Sequence, residues 1–162
     1  MTNSTLQKSM IQAGAIFAGL AVILGALASH ELKNVLSDSD LAIFETGVRY
    51  HFYHALALLA IGYGARRLKE NVGKGVFALF VVGIILFSGS LYLLATSKLW
   101  AENRIEWLGG IAPIGGVSFI AAWFYLAFKG YKPSSSEETR SGKKVMEMQR
   151  RKPVQPKEEV NP

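Results

Sequence analysis

Three stretches of this chain carry no charged side chain over a length that crosses a bilayer: Ser9–Ser29 "SMIQAGAIFAGLAVILGALAS", Gly75–Thr96 "GVFALFVVGIILFSGSLYLLAT" and Trp107–Phe128 "WLGGIAPIGGVSFIAAWFYLAF". A helix rises about 1.5 Å per residue, so about 20 apolar residues span the hydrocarbon core. Lipid offers the backbone no hydrogen-bond partner, and for runs of this length that leaves the helix. Half of the 162 residues are hydrophobic, and the mean hydropathy is +0.23 even with a very polar end. Trp107 at the mouth of the last stretch, with Trp123 and Tyr125 near its far end, fits an interfacial aromatic belt.

A fourth span is expected in "ETGVRYHFYHALALLAIGYGA", Glu45–Ala65. Its uncharged part begins only at Tyr50, so it spans only if the helix starts near Glu45 or Gly47. Charged residues then sit at the bilayer edge. The fold class expected is all-α: a polytopic membrane protein with a four-transmembrane-helix bundle in residues 1–132, spanning at about 9–29, 46–66, 75–96 and 107–128. "ALA" before Ser29 resembles a signal-peptide cleavage site, but the apolar run is longer than a usual h-region and further spans follow.

Lys and Arg predict the orientation. Alternate segments hold fourteen on one side, including Arg66, Arg67, Lys69 and Lys74, and four on the other, Lys33, Arg49, Lys98 and Arg104. By the positive-inside rule both termini are expected in the cytoplasm. Residues 133–162 are mostly Ser, Glu, Lys, Arg and Pro, with too little apolar surface to offset the entropy of ordering, and read as a disordered basic cytoplasmic tail. The lipid bilayer is the first partner expected, with anionic lipid heads drawn to Lys129 and Lys132.

Several chemistries are absent from the sequence. There is no cysteine, hence no disulfide, thiolate metal site or cysteine nucleophile. No G-x-G-x-x-G, G-x-x-x-x-G-K-[ST] or G-x-S-x-G occurs. No aromatic-basic platform points to nucleic acid. No cofactor and no catalytic residue are expected.

The polar residues that remain gather at one depth. His54 lies about 10 Å inside the outer edge of its span, at about the depth of Ser88 in the next, with Ser90 nearby and Pro113 early in the last. At about 100° per residue, Glu45, Arg49, Phe52 and Tyr53 fall on one face of their helix and Gly47, Tyr50, His51 and His54 on the other. Glu45 and Arg49, four apart with the acid first, are expected to pair, and Asp38 and Asp40 are N-cap candidates. His54 is expected to bond Ser88, Ser90 or a freed carbonyl. A metal site at His51 and His54, completed by His30, Glu31, Asp38 or Asp40, lacks any ligand motif, and no metal is expected. Pro113 has no N–H, so the Gly109 carbonyl is expected to lose its partner at a packing kink. Small residues at Ala21-Gly25-Ser29 and Ala112-Gly116 suggest close helix packing.

The segments "GALASHELK", "FETGVRYHFYHALALL", "FSGSLYLLA" and "WLGGIAPIGGVSFIAAW", in this order and spacing, resemble the uncharacterised YgdD/YwdK-type family of small bacterial membrane proteins, over roughly residues 10–130. The resemblance implies a four-helix protein of the bacterial cytoplasmic membrane and no substrate or reaction. The expectation is a non-enzymatic integral membrane protein whose bundle packs with itself as a homo-oligomer or with a membrane partner. The alternative is a small transporter or channel-like protein with a polar pocket at Glu45, Arg49, His51, His54, Ser88, Ser90 and Pro113.

Overall fold

The computed structural model describes residues 3–130 and, beyond them, 143, 144 and 146–148. The chain divides into two units, Met1–Tyr131 and Lys132–Pro162. Of the second, the described residues are helical and exposed; the predicted disorder of residues 133–162 and the lipid contact of Lys132 otherwise fall outside the described residues.

Among the described residues of the first unit there is no strand. Helix α1 runs Asn3–His30, six residues earlier than the uncharged stretch that marks it. A 3-10 turn, Leu32–Asn34, leads to α2, Asp38–Gly64. Another, Ala65–Arg67, leads to α3, Glu70–Gly83. A π-helical turn, Ile84–Ser88, carries the same rod into α4, Gly89–Trp100. A 3-10 turn, Glu106–Gly110, precedes α5, Ala112–Lys129.

Among the described residues three segments are long and apolar enough to cross a membrane: Ser4–Asn34, Glu70–Trp100 and Glu106–Lys129. They contain the predicted spans at 9–29, 75–96 and 107–128. Helix α2 is not among them. Its 27 residues suffice in length, but besides the charged Asp38, Asp40, Glu45 and Arg49 it carries His51, His54 and three tyrosines, and together these keep it less apolar than its neighbours.

The rods pack pairwise: α1 on α2, α3 on α5, and α2 on α4 and the π turn. The main core joins Leu58 of α2, Val76 and Phe80 of α3, Ile84, and Phe119 and Ala122 of α5. A second cluster joins Leu6 and Met10 to Ala65, and a third joins Ala28, Phe44 and Ala95. Large apolar side chains also cover much of the outer surface of the helices. Ile16, Val22 and Ile23 of α1, and Ile114, Val117 and Phe128 of α5, are each more than half exposed. Water would penalise so continuous an apolar shell, whereas lipid tails solvate it.

Glycine sets the closest approaches, at positions other than those expected. A Cβ on Gly14 would lie 2.9 Å from the Ala55 carbonyl oxygen of α2, and one on Gly115 would collide with the backbone of Phe87. At Gly25 and Gly116 a Cβ meets only ordinary van der Waals distances. Pro113 makes no mid-helix kink: it lies in the first turn of α5, where the missing N–H has no intrahelical acceptor to lose.

Candidate functional site

The polar residues begin at the start of α2. Neither Asp38 nor Asp40 is the cap. Ser37 is: its backbone is extended, and its hydroxyl accepts the Asp40 N–H at 3.2 Å. The hydroxyl donates to Asp40 Oδ2 at 2.8 Å, a reciprocal arrangement akin to the capping box with Asp in place of Glu. Asp40 is 2% exposed. It is ion-paired with Arg104 of the connector between α4 and α5, and Lys98 Nζ lies 3.5 Å from its other oxygen. The Ile105 N–H donates to Ser97 Oγ beside it. Burial pushes the Asp40 carboxyl up, but hydrogen bonds from Ser37 and Arg104 and the charges of Arg104 and Lys98 outweigh it and hold the group below its ordinary value.

One turn further on, the expected Glu45–Arg49 ion pair is not formed. Both side chains are exposed, and Arg49 Nη2 donates to Thr46 Oγ1 at 3.0 Å. An exposed pair is worth only ~0.2–0.5 kcal/mol, so a local hydroxyl acceptor competes with it.

The opposite face is buried at Gly47, His51 and His54. Gly47 has no side chain because Tyr92 of α4 takes the space: a Cβ there would lie 2.8 Å from the Tyr92 ring. The Tyr92 hydroxyl lies 3.2 Å from His51 Nδ1, and the edge of Phe17 from α1 closes on the same imidazole, with ring centroids 5.6 Å apart. His51 Nε2 is buried without a partner among the described residues, as is Ser88 Oγ in the π turn. Ser90 Oγ donates to the Phe87 carbonyl.

His54 uses both ring nitrogens. Nδ1 lies 2.7 Å from the Tyr50 carbonyl, and the Trp123 indole N–H donates to Nε2 at 3.3 Å. The neutral tautomer with its proton on Nδ1 satisfies both. The ring stacks on Phe119 at 3.5 Å between centroids, with Phe80 beside it. Of the expected partners Ser88, Ser90 or a freed carbonyl, neither serine bonds His54; it meets the Tyr50 carbonyl of its own helix, four residues back, and an indole from α5.

The candidates therefore do not converge. His54 belongs to an aromatic cluster with α5, His51 to the α1–α2–α4 contact, and Glu45 and Arg49 to the surface. Pro113 is exposed in the first turn of α5, ten residues and about 15 Å of helix from Trp123. The structure holds an apolar groove of about 440 Å³ beside Ser90, Tyr92, Leu108 and Ile111, and one of about 220 Å³ beside Ala60, Gly64, Trp123 and Leu126. Neither is lined by His51, His54, Ser88 or Pro113. Among the described residues no three His, Asp or Glu side chains group to hold a metal ion.

Sequence reasoning missed the Asp40–Arg104 pair, the two aromatic partners of the histidines and the π turn. S-x-x-D at Ser37–Asp40 signalled the cap. No local pattern signals Arg104, because the pair joins positions 64 apart.

A family model described as a protein of unknown function (DUF423) matches residues 24–116. The chain is 42% identical over 127 residues to the UPF0382 membrane protein YwdK of Bacillus subtilis, covering 77% of this chain and 98% of that one. It is 42% identical over 125 residues to the UPF0382 membrane protein SSP2132 of Staphylococcus saprophyticus, with the same coverage, and 39% identical over 114 residues to a UPF0382 membrane protein of Haemophilus influenzae, covering 70% of this chain and 86% of the relative. No solved structure matches. With its apolar helices and these relatives, the chain belongs to the DUF423 family of membrane proteins of unknown function.

Proposed function

We propose that this is a multi-pass protein of the bacterial cytoplasmic membrane, both termini in the cytoplasm, whose bundle works without catalysis by packing with a second copy or another membrane protein. Helix α2, from about residue 46 on, is the fourth span, with His51 and His54 buried against neighbouring helices. The observation that carries the reading is His54: with Tyr50 O on one nitrogen, Trp123 on the other and Phe119 across its face, it offers nothing to a substrate. Polar groups satisfied inside a bundle act as interhelical glue. The apolar shell supplies a surface for a membrane partner.

A second reading is favoured by one observation, the unpartnered His51 Nε2 and Ser88 Oγ. It is a small transporter or channel-like protein with a polar pocket in the outer half of the bundle, to which those two atoms contribute. Native mass spectrometry of the detergent-purified chain separates the two readings. A dimer or a co-purified protein that persists in His51→Ala supports the first. A small molecule retained by the wild type and lost in His51→Ala overturns it in favour of the second. The topology is checked by single cysteines, which the natural chain lacks: an impermeant maleimide is expected to label Asn103→Cys in intact cells and to spare Asn71→Cys.

A further inference from the structure

The smaller groove runs between α2 and α5. On α2 it is walled by small residues on one face, Ala57, Ala60 and Gly64, and on α5 by Trp123 and Leu126, one turn apart. The Trp123 indole N–H donates to His54 Nε2 at 3.3 Å, which orients this wall. At one end the groove reaches Gly64 and Leu68, in the connector that carries Arg67 and Lys69. Leu126 lies one turn before Lys129, and the Lys69 N–H donates to the Gly130 carbonyl at 3.1 Å, tying the connector to the end of α5. Arg67, Lys69 and Lys129 are therefore gathered at the mouth of the groove, all exposed. Among the described residues none of the three has a side-chain partner, whereas nearby Lys74 is ion-paired with Glu70 at 2.7 Å.

We infer that this groove binds one anionic phospholipid, its acyl chain lying along Ala57, Ala60 and Trp123 and its phosphate meeting Arg67, Lys69 and Lys129. Both halves of such a molecule are matched. The walls are apolar and open sideways, where lipid tails are the solvent, and cations at the membrane surface attract anionic heads. Headgroup charge is the discriminating feature, because the groove itself carries no group that reads polarity. The inference holds whether or not the bundle self-associates, since copies of the chain and bound lipids are counted separately by mass.

The test is native mass spectrometry of the full chain in detergent, titrated with phosphatidylglycerol and with phosphatidylcholine of the same acyl composition. One phosphatidylglycerol per chain is expected to be retained in preference to phosphatidylcholine. Replacing all three cations (Arg67→Ser, Lys69→Ser, Lys129→Ser) is expected to weaken retention on the order of 100-fold, the three acting together. Ala60→Phe, on an exposed wall of the groove, is expected to abolish the first binding event while leaving thermal unfolding in lipid-free detergent unchanged. Equal retention of the two lipids by the wild type overturns the proposal. So does phosphatidylglycerol binding in the triple variant at the wild-type level, or in Ala60→Phe.

Discussion

Asp40, at the start of α2, is ion-paired with Arg104 from the connector between α4 and α5, and Ser37 holds the same carboxylate from the capping side. The pair joins one hairpin of the bundle to the other. Asp40→Ala leaves Arg104 without its counter-charge and exposes the cap, and is expected to lower stability by about 2–4 kcal/mol. Asp38→Ala, in the same turn but exposed, is expected to stay within about 0.5 kcal/mol. Thermal unfolding in detergent checks both.

The same carboxylate sets an acid limit. Its folded pKa lies below its ordinary value of 3.8. Such a group stabilises the fold in full above the unfolded value, and the contribution disappears as pH falls through the folded one. The stability gap between wild type and Asp40→Asn is expected to be constant near neutrality and to close as pH drops below about 4. A gap that stays open in acid would contradict the pairing.

The His54–Trp123 bond is expected to behave as one unit. Trp123→Phe removes the donor and keeps the ring, costing about 0.5–1.5 kcal/mol. His54→Leu also loses the Tyr50 carbonyl contact. In a double-mutant cycle the second change is expected to cost less once the first is made, by about the same 0.5–1.5 kcal/mol. Strictly additive losses would mean that the two side chains act apart.

Ser88 makes the opposite prediction. Its hydroxyl is buried without a partner, and a buried unpaired polar group costs stability. Ser88→Ala is expected to be neutral or to stabilise by up to about 1 kcal/mol. A loss larger than that in a melting experiment would mean that a water or small molecule sits on Ser88 in the folded protein.

Two glycines are expected to part company. At Gly115 a Cβ collides with the Phe87 backbone, so Gly115→Val is expected to cost roughly 1–3 kcal/mol or more. At Gly19, inside α1, nothing lies within 4 Å of a Cβ, and Gly19→Ala is expected to gain about 0.5–1 kcal/mol of helix propensity. Chemical denaturation of the two variants in mild detergent tells them apart.

The rods themselves were legible in the sequence, because a span is a local property: Ser9–Ser29, Gly75–Thr96 and Trp107–Phe128 need only length and the absence of charge. The two faces of α2 were legible for the same reason, since angular spacing alone puts His51 and His54 opposite Glu45 and Arg49, and the structure buries the first pair and exposes the second. Pro113 shows where local reasoning misleads. Counted from the first apolar residue, Trp107, it looks internal to a helix, but a 3-10 turn over Glu106–Gly110 delays α5 until the proline stands in its first turn.

The sequence by itself determined an all-α membrane chain, its helical segments and its family, because hydrophobic length, charge placement and residue spacing act along the chain. Only the tertiary structure decided which polar groups meet. Asp40 with Arg104, His51 with Tyr92 and His54 with Trp123 are joined across 64, 41 and 69 positions. Their partners are chosen by which helices pack, and packing here is set by where glycine lets a neighbouring backbone close, at Gly14 and Gly115, or a ring enter, at Gly47, rather than by any pattern visible around the polar residues themselves.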